Sequence, residues 1–141
     1  MVTHINTPSL LAWMGNSFEL VCLLHHQQIK KALGISGMAT SISTWRYTPR
    51  ADEIDRKGAQ IDLVIERADR MIHLCEMKFS QKAFTITKEY EKTLRERMWL
   101  FQDITKTNKT LLQTFVTTYG LANPTAWSIV HSEVTMDDLF A

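Results

Sequence analysis

Little in this sequence is extreme, and each absence narrows its class. Cysteine is scarce: Cys22 and Cys75 are the only two. Both lie inside apolar stretches and read as buried free thiols of a reducing compartment, not as a disulfide framework. No Cys/His cluster has zinc-site spacing. Glycine and proline are also few, 5 and 3 in 141 residues, and no repeat or low-complexity tract interrupts the chain. No apolar run approaches the roughly 20 residues of a membrane-spanning helix. The N-terminus lacks the basic-then-apolar pattern of a secretion signal, so a cytoplasmic protein without a membrane association is expected. A surplus of one charge is missing too: 16 Lys and Arg face 15 Asp and Glu, for a formal net charge of +1. Any contact with nucleic acid must therefore come from a local basic patch.

What is present is enough for one globular domain spanning residues 1–141, long enough to build a core without staples. From Thr7 to about Leu33, apolar residues recur at helical spacing through Leu11, Met14, Phe18, Val21, Cys22, His25 and Ile29. Thr7 is a suitable cap, Pro8 suits a first turn and Gly34 a terminus, so one long helix is expected. Gly15 in its middle suggests close packing. Ser41–Tyr47 alternates and reads as a strand, and Pro49–Gly58 as a charged loop. Gln60–Glu66 and Met71–Phe79 are two strands separated only by Arg67–Arg70, which predicts an antiparallel hairpin. A helix over Lys88–Ile104 follows, capped by Thr87 and carrying the stripe Tyr90, Leu94, Met98, Phe101 and Ile104. Thr110–Thr118 and Trp127–His131 read as strands, and Thr135 with Asp138 as a capping box opening a short helix. The order α-β-β-β-α-β-β predicts an α/β fold, a mixed sheet flanked by helices.

Three charged residues stand out because their neighbours are apolar. Asp62 lies within Ile61, Leu63, Val64 and Ile65. Glu76 and Lys78 lie among Leu74, Cys75, Met77 and Phe79. Charges in such surroundings are costly unless paired or bound to metal. Glu76 and Lys78 share a strand face, and a paired hairpin would bring Asp62 to it. Two carboxylates offer hard oxygen ligands to Mg²⁺, and the ion in turn acidifies water and neutralises phosphate charge. A nearby ammonium stabilises charge developing on a phosphodiester. The alternative is an ordinary cross-strand salt bridge of Lys78 with Asp62 or Glu76.

The stretch Gly58-Ala59-Gln60-Ile61-Asp62-Leu63-Val64-Ile65, followed by Cys75-Glu76-Met77-Lys78, resembles the signature of the PD-(D/E)XK, or restriction-endonuclease-like, nuclease superfamily. Ile61 stands where that superfamily's name motif has a proline. More closely, the chain resembles the nuclease-like C-terminal domain of a group of bacterial AAA+-type ATPases. That similarity extends to Ala12-Trp13, Phe18-Glu19, Gln28 through Ile35, Thr118-Tyr119-Gly120 and Asp138-Leu139-Phe140. No ATP-binding loop of the GxxxxGK[ST] type is present.

The resemblance implies a restriction-endonuclease-like core and a Mg²⁺- or Mn²⁺-dependent hydrolase acting on DNA. Asp62 and Glu76 would bind the metal, with the Met77 carbonyl as a further ligand. Glu19 matches the first-helix glutamate that often completes the site, and Lys78 would support the nucleophile. Gln60 would hold a supporting contact, with an exposed strand glutamine as the plain alternative. The resemblance also implies an AAA+-type ATPase as a partner, and admits a catalytically silent binding or regulatory module in its place. Nucleases of this fold often dimerise to cut both strands, so a homodimer is among the assemblies it admits.

Other polar groups carry weaker signals. Arg46, Arg50, Arg56 and Lys57 flank the charged loop, but Asp52, Glu53 and Asp55 interrupt them, as in a solvated mixed-charge loop. Lys88, Lys92 and Arg95 line the wet side of the second helix, where Glu91 and Arg95 sit at i,i+4. Tyr90 reads as core. His25, His26 and His73 have no partner spacing and read as ordinary residues. Trp45 and Tyr47 are aromatic enough to stack on bases, yet fit a half-buried strand better.

Overall fold

The near-continuous apolar runs of the central strands need both sheet faces covered, and the chain supplies both covers. In the computed structural model, which describes residues 8–53, 57–122 and 128–141, the elements run α1 (Pro8–Leu24), α2 (His26–Ala32), β1 (Thr40–Tyr47), β2 (Ala59–Arg67), β3 (Met71–Lys78), α3 (Lys88–Thr105), β4 (Thr110–Thr117), β5 (Val130–Thr135) and α4 (Met136–Leu139). The strands form one sheet in the order β1-β2-β3-β4-β5. The first three pair antiparallel and the last three parallel, so the sheet is mixed as expected.

One core lies between the sheet and α1, α2 and α4. Phe18, Cys22, Ile29 and Leu139 meet Leu63, Ile65, Cys75, Met77, Val116 and Val134 there. On the other face α3 covers Ile61, Val64, Ile72 and Leu74 with Phe101, and covers Phe115 with Leu94 and Tyr90. Thr87 caps α3, its hydroxyl accepting from the Tyr90 N–H at 3.1 Å.

The single long N-terminal helix is instead two. The His25 N–H is shared between the Val21 and Cys22 carbonyls at 3.0 and 3.1 Å, and its ring Nδ1 lies 2.8 Å from the Val21 oxygen. That side-chain contact competes with the regular ladder and breaks the helix without glycine or proline. Gly34 ends α2 at φ +76°, as its freedom from a Cβ allows. Gly15 marks no close approach: a Cβ built there meets nothing within 4 Å. The last strand runs Val130–Thr135, later than Trp127–His131, because its partner β4 pairs Gln113 with Val130 and Thr117 with Thr135. Thr135 opens α4 as expected, its N–H donating to Asp138 Oδ2 at 2.9 Å. Thr7, Arg56 and Trp127 lie outside the described residues. Among the described residues no helix is long and apolar enough to cross a membrane.

Candidate functional site

The strand β2 alternates until it meets a β-bulge. Ser43 pairs with Val64, but Trp45 pairs with Ile61, so Asp62 and Leu63 together oppose Thr44. Strict alternation would send Asp62 to the same face as Val64, toward α3. The extra residue reverses that parity, and Ile61 and Val64 both pack toward α3. Asp62 turns instead toward α1, into a cleft of ≈ 200 Å³ lined by Glu19, Leu23, Thr44, Trp45, Arg46, Gln60, Asp62 and Met77. Bulges commonly re-aim a side chain in this way beside functional sites.

Beyond the bulge β2 and β3 part. Their pairing stops at Leu63 opposite Cys75. The Met77 N–H, left without a β2 carbonyl, donates to Asp62 Oδ2 at 2.9 Å. The Asp62 carboxylate thus fills the crotch of the fork. Gln60 and Arg46 stand cross-strand beside it, with Arg46 Nη2 donating to Gln60 Oε1 at 2.9 Å. Glu19 comes from α1, one residue after buried Phe18 and one turn before buried Cys22. Partial burial pushes its carboxyl above the usual range, the negative charge of Asp62 pushes it further, and Lys78 opposes both.

Glu76 and Lys78 share the other face of β3, as their i,i+2 spacing predicts. Glu76 is only 3% exposed. The expected ion pair of Lys78 with Asp62 or Glu76 is not formed among the described residues. Glu76 is held instead by the Arg97 guanidinium of α3, and Lys78 Nζ lies 5.0 Å from the centre of the Tyr90 ring, also on α3. Burial raises the Glu76 carboxyl to about 7 against the pull of Arg97, and Asp62 adds to the rise. Arg97 is itself held above its ordinary value: burial lowers it, and Glu76 more than restores it. The Tyr90 hydroxyl is buried without a hydrogen-bond partner among the described residues, and burial pushes it up while the Arg97 charge opposes the rise. Two neighbouring charges thus leave the sheet on the side opposite Asp62, yet still act on it across the fork.

Arg97 is the functional neighbour that spacing did not single out. A signal was present: Arg97 falls between Leu94 and Phe101, three and four residues away, in phase with the apolar stripe of α3. A charge in phase with a buried stripe must find a partner.

As donors, the carboxylates of Glu19, Asp62 and Glu76 suit a hard divalent cation. They do not converge as a ready cage, since no three His, Cys, Asp or Glu side chains among the described residues are grouped to hold a metal. The donor chemistry fits, with Glu76 engaged by Arg97.

The remaining candidates lie elsewhere or are already satisfied. Arg50 pairs with Asp52 and Glu53 at 3.6 and 3.4 Å, as a mixed-charge loop should. Arg95 pairs with Glu91 at 2.7 Å. Trp45 packs edge-on against Phe101 and parallel to Tyr47 while lining the cleft. His25 leans on Phe140, and His73 is buried at the far end of the sheet.

No protein-family model matches the sequence, and no curated protein is significantly similar to it. Its fold is similar to the crystal structure of a protein of unknown function, AF1548, with a TM-score of 0.51 and 16% sequence identity. The likeness covers 83% of this chain and 64% of that one, so the chain spans less than two thirds of its neighbour's length. At that identity the likeness speaks for the fold alone.

Proposed function

We propose that the forked end of β2 and β3 is the active site of a nuclease with a restriction-endonuclease-like fold, which hydrolyses DNA phosphodiester bonds with Mg²⁺ or Mn²⁺. One observation carries this proposal. Asp62 of β2 shares one cleft with Glu19 of α1 and accepts from the Met77 N–H, which lies between Glu76 and Lys78 on β3. Folding gathers like charges at a cost, and functional sites are where that cost recurs.

In this proposal Asp62 and Glu76 are the principal metal donors, with Glu19 and the Met77 carbonyl beside them. A divalent ion bound there would supply Lewis acidity toward water and phosphate. Lys78 stabilises negative charge developing on the scissile phosphate. Gln60 holds Arg46 at the cleft mouth, where a guanidinium suits a phosphate oxygen. Trp45 gives the cleft wall a flat apolar surface that suits a base or sugar.

The Glu76–Arg97 pair favours a second reading. A carboxylate already neutralised by a guanidinium is a poorer metal ligand, which suits a catalytically silent nucleic-acid-binding or regulatory module serving an AAA+-type ATPase. Calorimetric titration with Mn²⁺ separates the two. Binding in the wild type that is lost in Glu76→Ala supports the nuclease. Absence of binding at millimolar metal, with the protein folded, supports the silent module.

A further inference from the structure

The helix α3 touches both members of the β3 pair. Arg97 holds Glu76 and Tyr90 underlies Lys78, and these two α3 residues lie seven apart, two turns along one helix face. One helix thus reaches both members of the i,i+2 pair on the strand. Glu76 has 4% of its side chain exposed and Arg97 20%, so solvent does little to screen their attraction. A cation binding Glu76 must compete with a guanidinium already in possession of the carboxylate.

We propose that Arg97 is a positioning residue that guards Glu76, acting as a built-in counter-ion that a divalent cation must displace to complete the site. This rests on the reading of the fork as a metal site. The charge count is consistent with such an exchange. Without metal, Glu19, Asp62 and Glu76 stand against Lys78, Arg97 and the Arg46 guanidinium that lines the cleft, so among the described residues the cluster is balanced and a divalent ion adds net positive charge. With a divalent ion added and Arg97 still in place, the guanidinium would sit beside a second positive centre. The repulsion is relieved when Arg97 turns away from Glu76. Its side chain is the partner with solvent access, so it is the one free to move. Lys78, held over an aromatic face instead of by a carboxylate, needs no such displacement.

The test measures Mn²⁺ affinity by calorimetry on the full chain, comparing wild type with Arg97→Met and Arg97→Lys, each checked for folding by circular dichroism. Methionine keeps the packing volume and removes the competing charge. Lysine keeps the charge but loses the planar fork. The expected result is Mn²⁺ binding about tenfold or more tighter in Arg97→Met, with Arg97→Lys between it and the wild type. A merely structural arginine would give the opposite, weaker binding after its removal. If the wild type binds Mn²⁺ and both variants bind no more tightly, the guard is overturned while the metal site stands. If no form binds at millimolar Mn²⁺, the metal site itself fails and the guard with it. Should Arg97→Met not fold, Arg97→Lys decides by the same comparison.

Discussion

The two ends of the β2–β3 hairpin are built from the same strands and treat charge in opposite ways. At the turn, each polar group has a matched partner. Arg67 donates to both Asp69 oxygens, at 3.0 and 2.6 Å, and lies 3.2 Å from His73 Nε2. That contact assigns the imidazole proton to Nδ1, which reaches Thr114 Oγ1 at 2.8 Å. Lys109 pairs with Glu66, and Arg70 donates to Asn108 at 2.9 Å. At the fork, carboxylates accumulate. Asp62 and Glu19 share a cleft, and Glu76 is buried and depends on one residue of another helix. The turn end shows what the strands do when only stability is served, and the fork end departs from it where chemistry is proposed.

The contrast is broken most severely at Asp62. Asp62→Ala should lower metal-dependent DNA cleavage at least about a thousandfold, the scale on which a group acting directly at the reacting centre is felt. Its circular dichroism should match the wild type, because among the described residues the hydrogen bond from the Met77 N–H is what the frame loses. Cleavage surviving in that variant would remove Asp62 from the site.

The dependence of Glu76 on Arg97 predicts the next largest effect. In metal-free buffer Arg97→Met strands a buried carboxylate and should cost roughly 3 kcal/mol in urea unfolding. Adding Glu76→Leu to it should recover most of that loss. A double variant no more stable than the single one would mean that the pair is not what couples α3 to β3.

The turn end is sharpened by pH. Burial holds His73 down to about 4, with Arg67 contributing, against 6.5 when unfolded. Between those values the unfolded chain binds a proton that the folded chain does not. Stability from this residue is therefore complete above pH 6.5 and is lost as pH falls toward 4, by an amount of order 2 kcal/mol after allowance for screening. His73→Phe should flatten that part of the pH–stability curve. An unchanged slope in the variant would show that another group carries it. The smallest effect is expected at Gln60. Gln60→Ala frees Arg46 and should reduce cleavage about tenfold, as the loss of a supporting contact does, with thermal stability nearly unchanged.

The strands, α3 and its cap were legible because periodicity and capping chemistry are local. The face shared by Glu76 and Lys78 was legible for the same reason. Three features that shape the site were not. The bulge that turns Asp62 toward α1 lies within a run where Ile61, Leu63, Val64 and Ile65 are all apolar, so no change of pattern marks the lost parity. The break at His25 comes from a ring nitrogen competing for a carbonyl, a contact that the spacing of apolar residues does not encode. Arg97 meets Glu76 across 21 residues of sequence, and only its phase with Leu94 and Phe101 hinted that it was buried. The end of the helix stripe also loosens, with Ile104 38% exposed.

The most direct test of the central claim is incubation of plasmid and single-stranded DNA with the protein in Mg²⁺ or Mn²⁺, beside its Lys78→Ala variant and a chelator control. Among the described residues Lys78 pairs with no carboxylate and rests on the Tyr90 ring, so its loss should leave the fold intact. Cutting by the wild type that disappears both in the variant and with chelator is the predicted result. Folded protein that cuts neither DNA under any of these conditions, or a variant that cuts as well as the wild type, would contradict it.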